Sequence, residues 1–356
     1  MDKLALVRDQ FEKWQVDGLL ITNPTNRRWL SGFTGSAGHL LVTTNRAILL
    51  ADSRYWEQAE QQAPDFEIHR NKEPKEDVPA FLVRGGAKRI GYEANSMSVL
   101  AARGWKKFKS YGWRALPETV EPFRAIKSAE EIELIREAAR ITDRTVAEFP
   151  RLARPGMSEQ AVAWEVEKFM RESGADRPGF DIIVASGPNS AKPHHSPGDR
   201  ILSLGDIVIV DLGAEFGGYK SDLTRTFYLG DPADDQFWNI YNTVYQAQTA
   251  AIDGIRAGVT GKAVDSLARD VITAAGHGDH FGHGTGHSLG LDIHEDPRFS
   301  KQATKVILPA GAVMTVEPGI YLPGYGGVRI EDLILVTEDG AEYLSAAPKS
   351  PLIPLG

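Results

Sequence analysis

Four carboxylates and three histidines in the second half of the chain are spaced as if to meet. In "VDLGAEFGGYKSDLTRT" Asp211 and Asp222 flank a glycine-rich turn, and in "VEPGIYLPGYGGVRIE" Glu317 and Glu331 flank another. Antiparallel partners keep a constant index sum. A turn centred on Phe216–Gly217 would therefore set Asp211 directly across from Asp222, and a loop centred on Gly324 would set Glu317 across from Glu331. Taken singly, either pair reads as solvent-facing acids at a hairpin end. Two such pairs need a reason, because like charges opposite one another destabilise a sheet. Asp211 ends the apolar run Ile207–Val210 and Glu317 follows "AVMTV", where an unpaired carboxylate would be very costly. Dications would resolve the repulsion, and four carboxylates are enough for two of them. A further ligand can come from "HGTGHSLGLDIHE", which holds His283, His287 and His294.

That stretch is not a zincin site, since "HEDPR" lacks the second histidine and Pro297 would break the required helix. It is not a phosphate cradle either, as neither GxxxxGK[ST] nor a strand-linked GxGxxG is present. The glycines at 282, 284, 286 and 290 suit irregular backbone packed against a metal cluster.

The elements that must position these groups fall into two blocks. Residues 1 to 122 read as an α/β domain. Its strands are "GLLIT" (18–22), "HLLVT" (39–43), "AILLA" (47–51), "FEIHR" (66–70) and "RIGYE" (89–93), with helices near 2–15, 53–63, 76–84 and 97–108. The proline-bearing stretch "LPETVEPFRAIKS" marks a boundary, and Ser128 with Glu131 forms a capping box that opens a strong helix. Residues 123–356 read as an α+β domain. It has further helices at about 158–173, 234–256 and 260–275, and long strands at 206–213, 223–230, 312–322 and 327–337. No short-period repeat is visible. Seven of the nine histidines fall in this block, leaving His39 and His69 as ordinary strand or surface residues.

With 356 residues, 42% of them hydrophobic, the chain can bury one large or two ordinary cores. A net charge of −8 gives no basic field to attract nucleic acid or anionic lipid. The absence of cysteine excludes disulfides and thiolate catalysis, and makes the reducing cytoplasm the natural compartment. Charges every few residues in "MDKLALVRDQFEKW" argue against a signal peptide or a membrane span.

The order Asp211, Asp222, "HGTGH", "TVEPGIY", "GVRIED" resembles the pita-bread metallopeptidases, among them methionine aminopeptidase, aminopeptidase P and prolidase. The segment "NPTNRRWLSGFTGSAG" also looks like the creatinase-type amino-terminal domain of the prolidase and aminopeptidase P branch. The resemblance implies metal ligands at Asp211, Asp222, His287, Glu317 and Glu331, with Asp222 and Glu331 bridging two divalent ions. It places His194, rather than adjacent His195, and His283 against substrate. His294 would steady the tetrahedral intermediate, and Arg329, on the strand face of Glu331, would be held against the acids. It also suggests a homodimer. Such an oxygen-rich site suits Mn²⁺ or Co²⁺, with Zn²⁺ and Fe²⁺ as alternatives. Two ions would share a water and lower its pKa, while Glu317 relays a proton and His294 donates to the oxyanion.

The expected activity is hydrolysis of Xaa-Pro bonds in small proline-containing peptides, with dipeptides as the leading substrates. Arg298, four residues after His294, is placed to clamp a C-terminal carboxylate, or else is a plain surface arginine. Aminopeptidase P action on longer peptides is the alternative. Methionine aminopeptidase would leave the amino-terminal domain unexplained, and an inactive peptide-binding relative would not need the intact ligand set.

Overall fold

The computed structural model describes residues 2–230 and 233–353. The chain divides into two compact units, Met1–Arg124 and Ala125–Gly356. In the first, six strands form one sheet in the order β4-β3-β2-β1-β5-β6. They are β1 (Gly18–Ile21), β2 (His39–Thr43), β3 (Ala47–Asp52), β4 (Glu67–Asn71), β5 (Arg89–Glu93) and β6 (Gly112–Leu116). Helices α1 (Lys3–Asp9) and α2 (Phe11–Trp14) precede them, α3 (Pro24–Ser31), α4 (Trp56–Gln62), α5 (Pro74–Gly85) and α6 (Val99–Trp105) lie between them, and α7 (Glu121–Arg124) follows. Helix α3 is an addition to the sequence reading, yet its signals are complete. Asn23 caps it, Pro24 opens it, and Gly32 ends it at φ +78°.

The second unit begins with α8 (Ala129–Leu152), which carries the expected capping box of Ser128 and Glu131. Helix α9 (Glu159–Glu172) follows, then β7 (Arg177–Pro178), β8 (Ile183–Ser186), β9 (Ile207–Leu212), β10 (Ala214–Phe216), β11 (Tyr219–Lys220) and β12 (Leu223–Leu229). The chain continues through α10 (Asp235–Asp253), α11 (Gly261–Ala274), β13 (Gly286–Ser288), β14 (Glu295–Phe299) and β15 (Val313–Val316). It closes with β16 (Gly319–Leu322), β17 (Gly326–Arg329), β18 (Asp332–Val336), β19 (Ala341–Tyr343) and β20 (Leu352–Ile353). Among the described residues no helix is long and apolar enough to cross a membrane.

Two large cores stand out among the described residues of this unit. Val162, Val166 and Met170, at one-turn spacing along α9, pack with α8 onto Val208, Val210 and Phe227 of β9 and β12. Val264, Ala268 and Ile272 of α11 pack with α10 onto Met314, Val316 and Ile334 of β15 and β18. The two halves repeat one plan. Ser158 caps α9 and bridges Ile201, while Thr260 caps α11 and bridges Ile307. Gly205 (φ +84°) and Gly311 (φ +87°) then turn the chain into β9 and β15.

The first hairpin departs from the sequence expectation. Its turn is Gly217–Gly218, with φ +56° and +84°, so Phe216 pairs with Tyr219 and Asp211 faces Thr224 instead of Asp222. A tight hairpin of this hand needs left-handed backbone at both central residues, which Phe216 would adopt only under strain. Asp222 consequently lies diagonal to Asp211.

The second hairpin follows expectation in register. Gly319 pairs with Arg329 and Val316 with Asp332, which leaves Glu317 opposite Glu331 in the gap between the two ladders. The two long strands expected here are each broken at the acid. The Glu317 amide donates to the Thr285 carbonyl and the Glu331 amide to the Thr224 carbonyl, so both are drawn out of the hairpin ladder. Pro318 has no N–H to continue it.

Of the glycines expected in irregular backbone, Gly282, Gly284 and Gly290 lie there, while Gly286 belongs to a strand and serves close packing. A Cβ on Gly286 would collide with the Thr315 carbonyl oxygen, and one on Gly284 would press within 2.5 Å of that of Phe299. Gly286 lets β13 lie close between β14 and β15, and Gly284, in the irregular segment just before β13, lets the chain pass close to Phe299. Gly286→Ala should therefore destabilise the protein by at least about 1–3 kcal/mol. Gly282→Ala, where a Cβ meets nothing within 4 Å, should stay within about 0.5 kcal/mol. Thermal unfolding of the two variants side by side checks this, and equal melting temperatures would refute it.

Candidate active site

All ten residues singled out by the sequence line one cavity of about 390 Å³. At its floor Asp211, Asp222 and Glu331 each offer an oxygen, all within 4.8 Å of one another. Asp222 is 6% exposed and Glu331 1%. Strand alternation explains the convergence. Asp211 and Thr224 face each other, Asp222 lies two residues before Thr224 on the same side, and the Glu331 amide is bonded to the Thr224 carbonyl.

His287 completes the group. Its Nε2 lies 3.6 Å from Asp222 Oδ2 and 3.4 Å from Glu317 Oε1. Its Nδ1 is 3.0 Å from the Ser288 carbonyl oxygen. A carbonyl only accepts, so Nδ1 carries the hydrogen and Nε2 turns its lone pair toward two carboxylates. Burial holds this imidazole below its ordinary pKa, which disfavours a proton as the mediator.

The acids show the same frustration. Burial, and then the charges of Glu331, Asp211 and Glu317, push Asp222 well above the carboxylate range. Glu331 is raised by burial and by Glu317 and Asp211. Glu317 is raised by burial, against the pull of His283 and Arg329. Asp211 Oδ1 and Glu331 Oε1 are buried without a hydrogen-bond partner among the described residues. A bare imidazole nitrogen, orphaned oxygens and four mutually repelling carboxylates form a donor set that fits divalent cations.

A surrounding layer of hydrogen bonds sets the geometry. Arg329 Nη2 donates to Asp211 Oδ2 (2.6 Å), its Nε to Thr224 Oγ1 (3.1 Å) and its Nη1 to the Tyr321 hydroxyl (2.9 Å). The Thr224 hydroxyl donates to Glu331 Oε2 (2.6 Å), and Thr315 Oγ1 donates to Glu317 Oε1 (3.3 Å) while accepting from the His287 amide (3.0 Å). His283 Nδ1 donates to the Gly284 carbonyl (2.8 Å), which leaves Nε2 to accept from Tyr321 (2.9 Å). Burial, against the pull of Arg329, pushes the pKa of Tyr321 up to about 12, so it stays a neutral donor.

At the mouth, His294 stands nearly edge-on to His287, ring centroids 4.5 Å apart. Burial, with His287 and Arg298 nearby, lowers it to about 4 and keeps it neutral near pH 7. Arg298 faces His287 across the β13–β14 ladder, its side chain 54% exposed and 3.3 Å from Asp296. His194 lines the cavity. His195 turns away, its Nε2 2.7 Å from Glu159 Oε2, and the same buried carboxylate accepts from the Ser186 and Gly198 amides. Phe180, Ile183, Ile293 and Phe299 supply the apolar walls.

Sequence reasoning missed Thr224, Thr315, Tyr321 and Glu159. The two threonines were within reach, since each sits two residues from an acid on the same strand face. Tyr321 and Glu159 act through contacts remote in sequence and carry no local signal.

Residues 133–338 match the model of metallopeptidase family M24, and residues 3–126 that of the creatinase/prolidase N-terminal domain. An uncharacterized peptidase of Bacillus subtilis is 44% identical over 353 residues, 99% of each chain. The structure of an Xaa-Pro dipeptidase from Bacillus anthracis is similar with a TM-score of 0.96 at 40% identity, covering 99% of each chain. An X-Pro aminopeptidase from Thermotoga maritima gives 0.90 at 35% identity, again over 99% of each.

The raised carboxyls predict an unusual pH dependence. In the folded metal-free protein they hold protons at pH values where the unfolded chain, with pKa values near 4, has released them. Their contribution is favourable in acid and is lost as pH rises through the raised values. Chelator-treated protein should melt at a lower temperature at pH 8 than at pH 6, and Glu331→Gln should flatten the slope. A melting temperature that rises with pH in the same way for both proteins would contradict this.

Proposed function

The chain belongs to metallopeptidase family M24, and on that premise we propose that its cavity cleaves the bond before proline in small Xaa-Pro peptides, dipeptides foremost. The observation that carries the reading is the bare Nε2 of His287 set against four converging carboxylates. Asp211, Asp222, His287, Glu317 and Glu331 would hold two divalent ions. The donor set favours Mn²⁺, with Co²⁺, Zn²⁺ or Fe²⁺ as alternatives. When bound, such ions supply Lewis acidity and a water of lowered pKa.

The remaining work falls to side chains. Glu317, its carboxyl raised by burial, takes a proton from the attacking water and passes it to the leaving nitrogen. Neutral His294 donates to the oxygen on which negative charge develops. The amide before proline has no N–H to recognise, so shape must select it, with Phe180, Ile183, Ile293 and Phe299 packing the ring. His194 and His283 flank the peptide, and Arg329 keeps Asp211 in place through its 2.6 Å bond. Arg298 meets the free carboxylate of a C-terminal proline. Manganese as the ion, a homodimer and a cytoplasmic setting belong to the same proposal, on the family resemblance and the cysteine-free composition.

A second reading, release of the first residue from longer Xaa-Pro peptides, has the Thermotoga likeness behind it, together with the open position of Arg298, past which a longer chain could run.

Hydrolysis of Ala-Pro, Ala-Pro-Ala and Met-Ala-Ser with Mn²⁺ separates these readings. Ala-Pro should be cleaved fastest and Met-Ala-Ser hardly at all, whereas preference for the tripeptide supports the second reading. Arg298→Ala should lose roughly 10- to 150-fold in kcat/KM on Ala-Pro and far less on Ala-Pro-Ala.

Metal analysis should approach about two ions per chain, as a two-metal site requires, and either Asp222→Ala or Glu331→Ala should lose most of them. His294→Ala should keep metal yet turn over ~10²–10³-fold more slowly. Undiminished metal and activity in the two acid variants would defeat the assignment.

A further inference from the structure

Strands β13 and β14 pair out of step. His287 faces Arg298, but Ser288 faces Glu295, so Asp296 and Pro297 stand outside the ladder. A bulge re-aims side chains while interrupting the hydrogen bonds that would fix them. His287 lies in β13 and His294 immediately precedes β14, each one residue from a member of the Ser288–Glu295 pair at this interruption.

The interruption is closed by a group from elsewhere in the chain. Lys127 Nζ lies 3.0 Å from Ser288 Oγ and 3.3 Å from Glu295 Oε2. The Lys127 and Glu295 side chains are only 2% and 7% exposed. The Glu295 carboxylate also accepts from the Asp292 amide (3.1 Å). It lies over Gly290, where a Cβ would come within 3.0 and 3.1 Å of its two oxygens. The Lys127 amide is itself tied to the Gly311 carbonyl (2.9 Å), in the turn that leads into β15. Neither Lys127 nor Glu295 lines the cavity. A buried ion pair adds little net stability, because desolvation offsets attraction. The gain here is geometric.

We propose that Lys127 is a positioning residue: its ammonium clasps Ser288 and Glu295, the chain neighbours of His287 and His294, and so fixes how those two imidazoles face each other. The inference rests on the peptidase reading above, in particular on the role given to His294.

The test is a cycle of variants in the Mn²⁺-loaded enzyme acting on Ala-Pro. Lys127→Met should lower kcat roughly tenfold to a hundredfold, the scale of a misplacement near 1 Å, while KM and metal content stay within about twofold. In a His294→Ala background the same substitution should add less than about threefold, because the alignment it protects is already without effect. Lys127→Met/Glu295→Leu, which replaces the ion pair by apolar groups, should recover the melting temperature but not kcat.

Multiplicative losses in the His294→Ala background, recovery of kcat along with stability, or a change in KM alone would each overturn the clasp. A His294→Ala enzyme as fast as the wild type would overturn the role of His294 and the purpose of the clasp together. Should Lys127→Met fail to fold, Ser288→Ala keeps the ion pair and loses one hydrogen bond. It then carries the same cycle, with an expected kcat loss of about three- to tenfold.

Discussion

The mutual repulsion of four carboxylates in one cavity is the constraint to which the rest of the catalytic unit answers. Asp222 and Glu331 are almost wholly buried, and side chains with raised pKa values would not be gathered this way to stabilise a fold. Everything near them limits the cost without removing it. Arg329 pairs with Asp211 alone, Thr224 gives one hydroxyl to Glu331, and Thr315 gives one to Glu317. Oxygens left over remain unpartnered. The strands stop at Val316 and Arg329 because the backbone at both glutamates is bonded to other segments. Local order is thus given up where charge must converge.

The imidazoles obey a related rule. His283 and His287 each give Nδ1–H to the carbonyl of the following residue. This fixes the tautomer by backbone geometry, and the two Nε2 atoms then diverge in use: one accepts from Tyr321, the other turns to the acids. Such pinning is cheap in sequence terms, since any residue supplies a carbonyl. It is therefore invisible until the backbone is seen.

That contrast explains what could be read beforehand. The register of Glu317 and Glu331 followed from counting around Gly324, because the loop is symmetric about one glycine and both ladders keep the same pairing. Counting around Phe216–Gly217 failed by one position. The two adjacent glycines, not their neighbours, take the left-handed conformation, and composition alone left either centre open. Helix starts at Ser128 and Ser158 were legible because a cap is local chemistry. The close approach of β13 to β15 was not, since it depends on a carbonyl of Thr315 far along the chain, and Gly286, which permits it, stood in a stretch that resembled a loop. Lys127 and Glu159 stayed hidden for the same reason.

The repeated plan of the catalytic unit describes two half-length modules facing each other, as in a fused two-fold dimer. Each brings a helix pair, a turning glycine and a strand that carries an acid at or just past its end, Asp211 in one and Glu317 in the other. The match fails at one place that matters. Ser186 pairs with Val208 as Ser288 pairs with Met314, which makes Ala185 the counterpart of His287. A perfectly symmetric pocket would accept a peptide in either orientation with equal ease. Here His287 lines the cavity, whereas Ala185 is packed away with Ile209 and Tyr321, so the imidazole stands on one side only and the two-fold plan stops at the pocket wall.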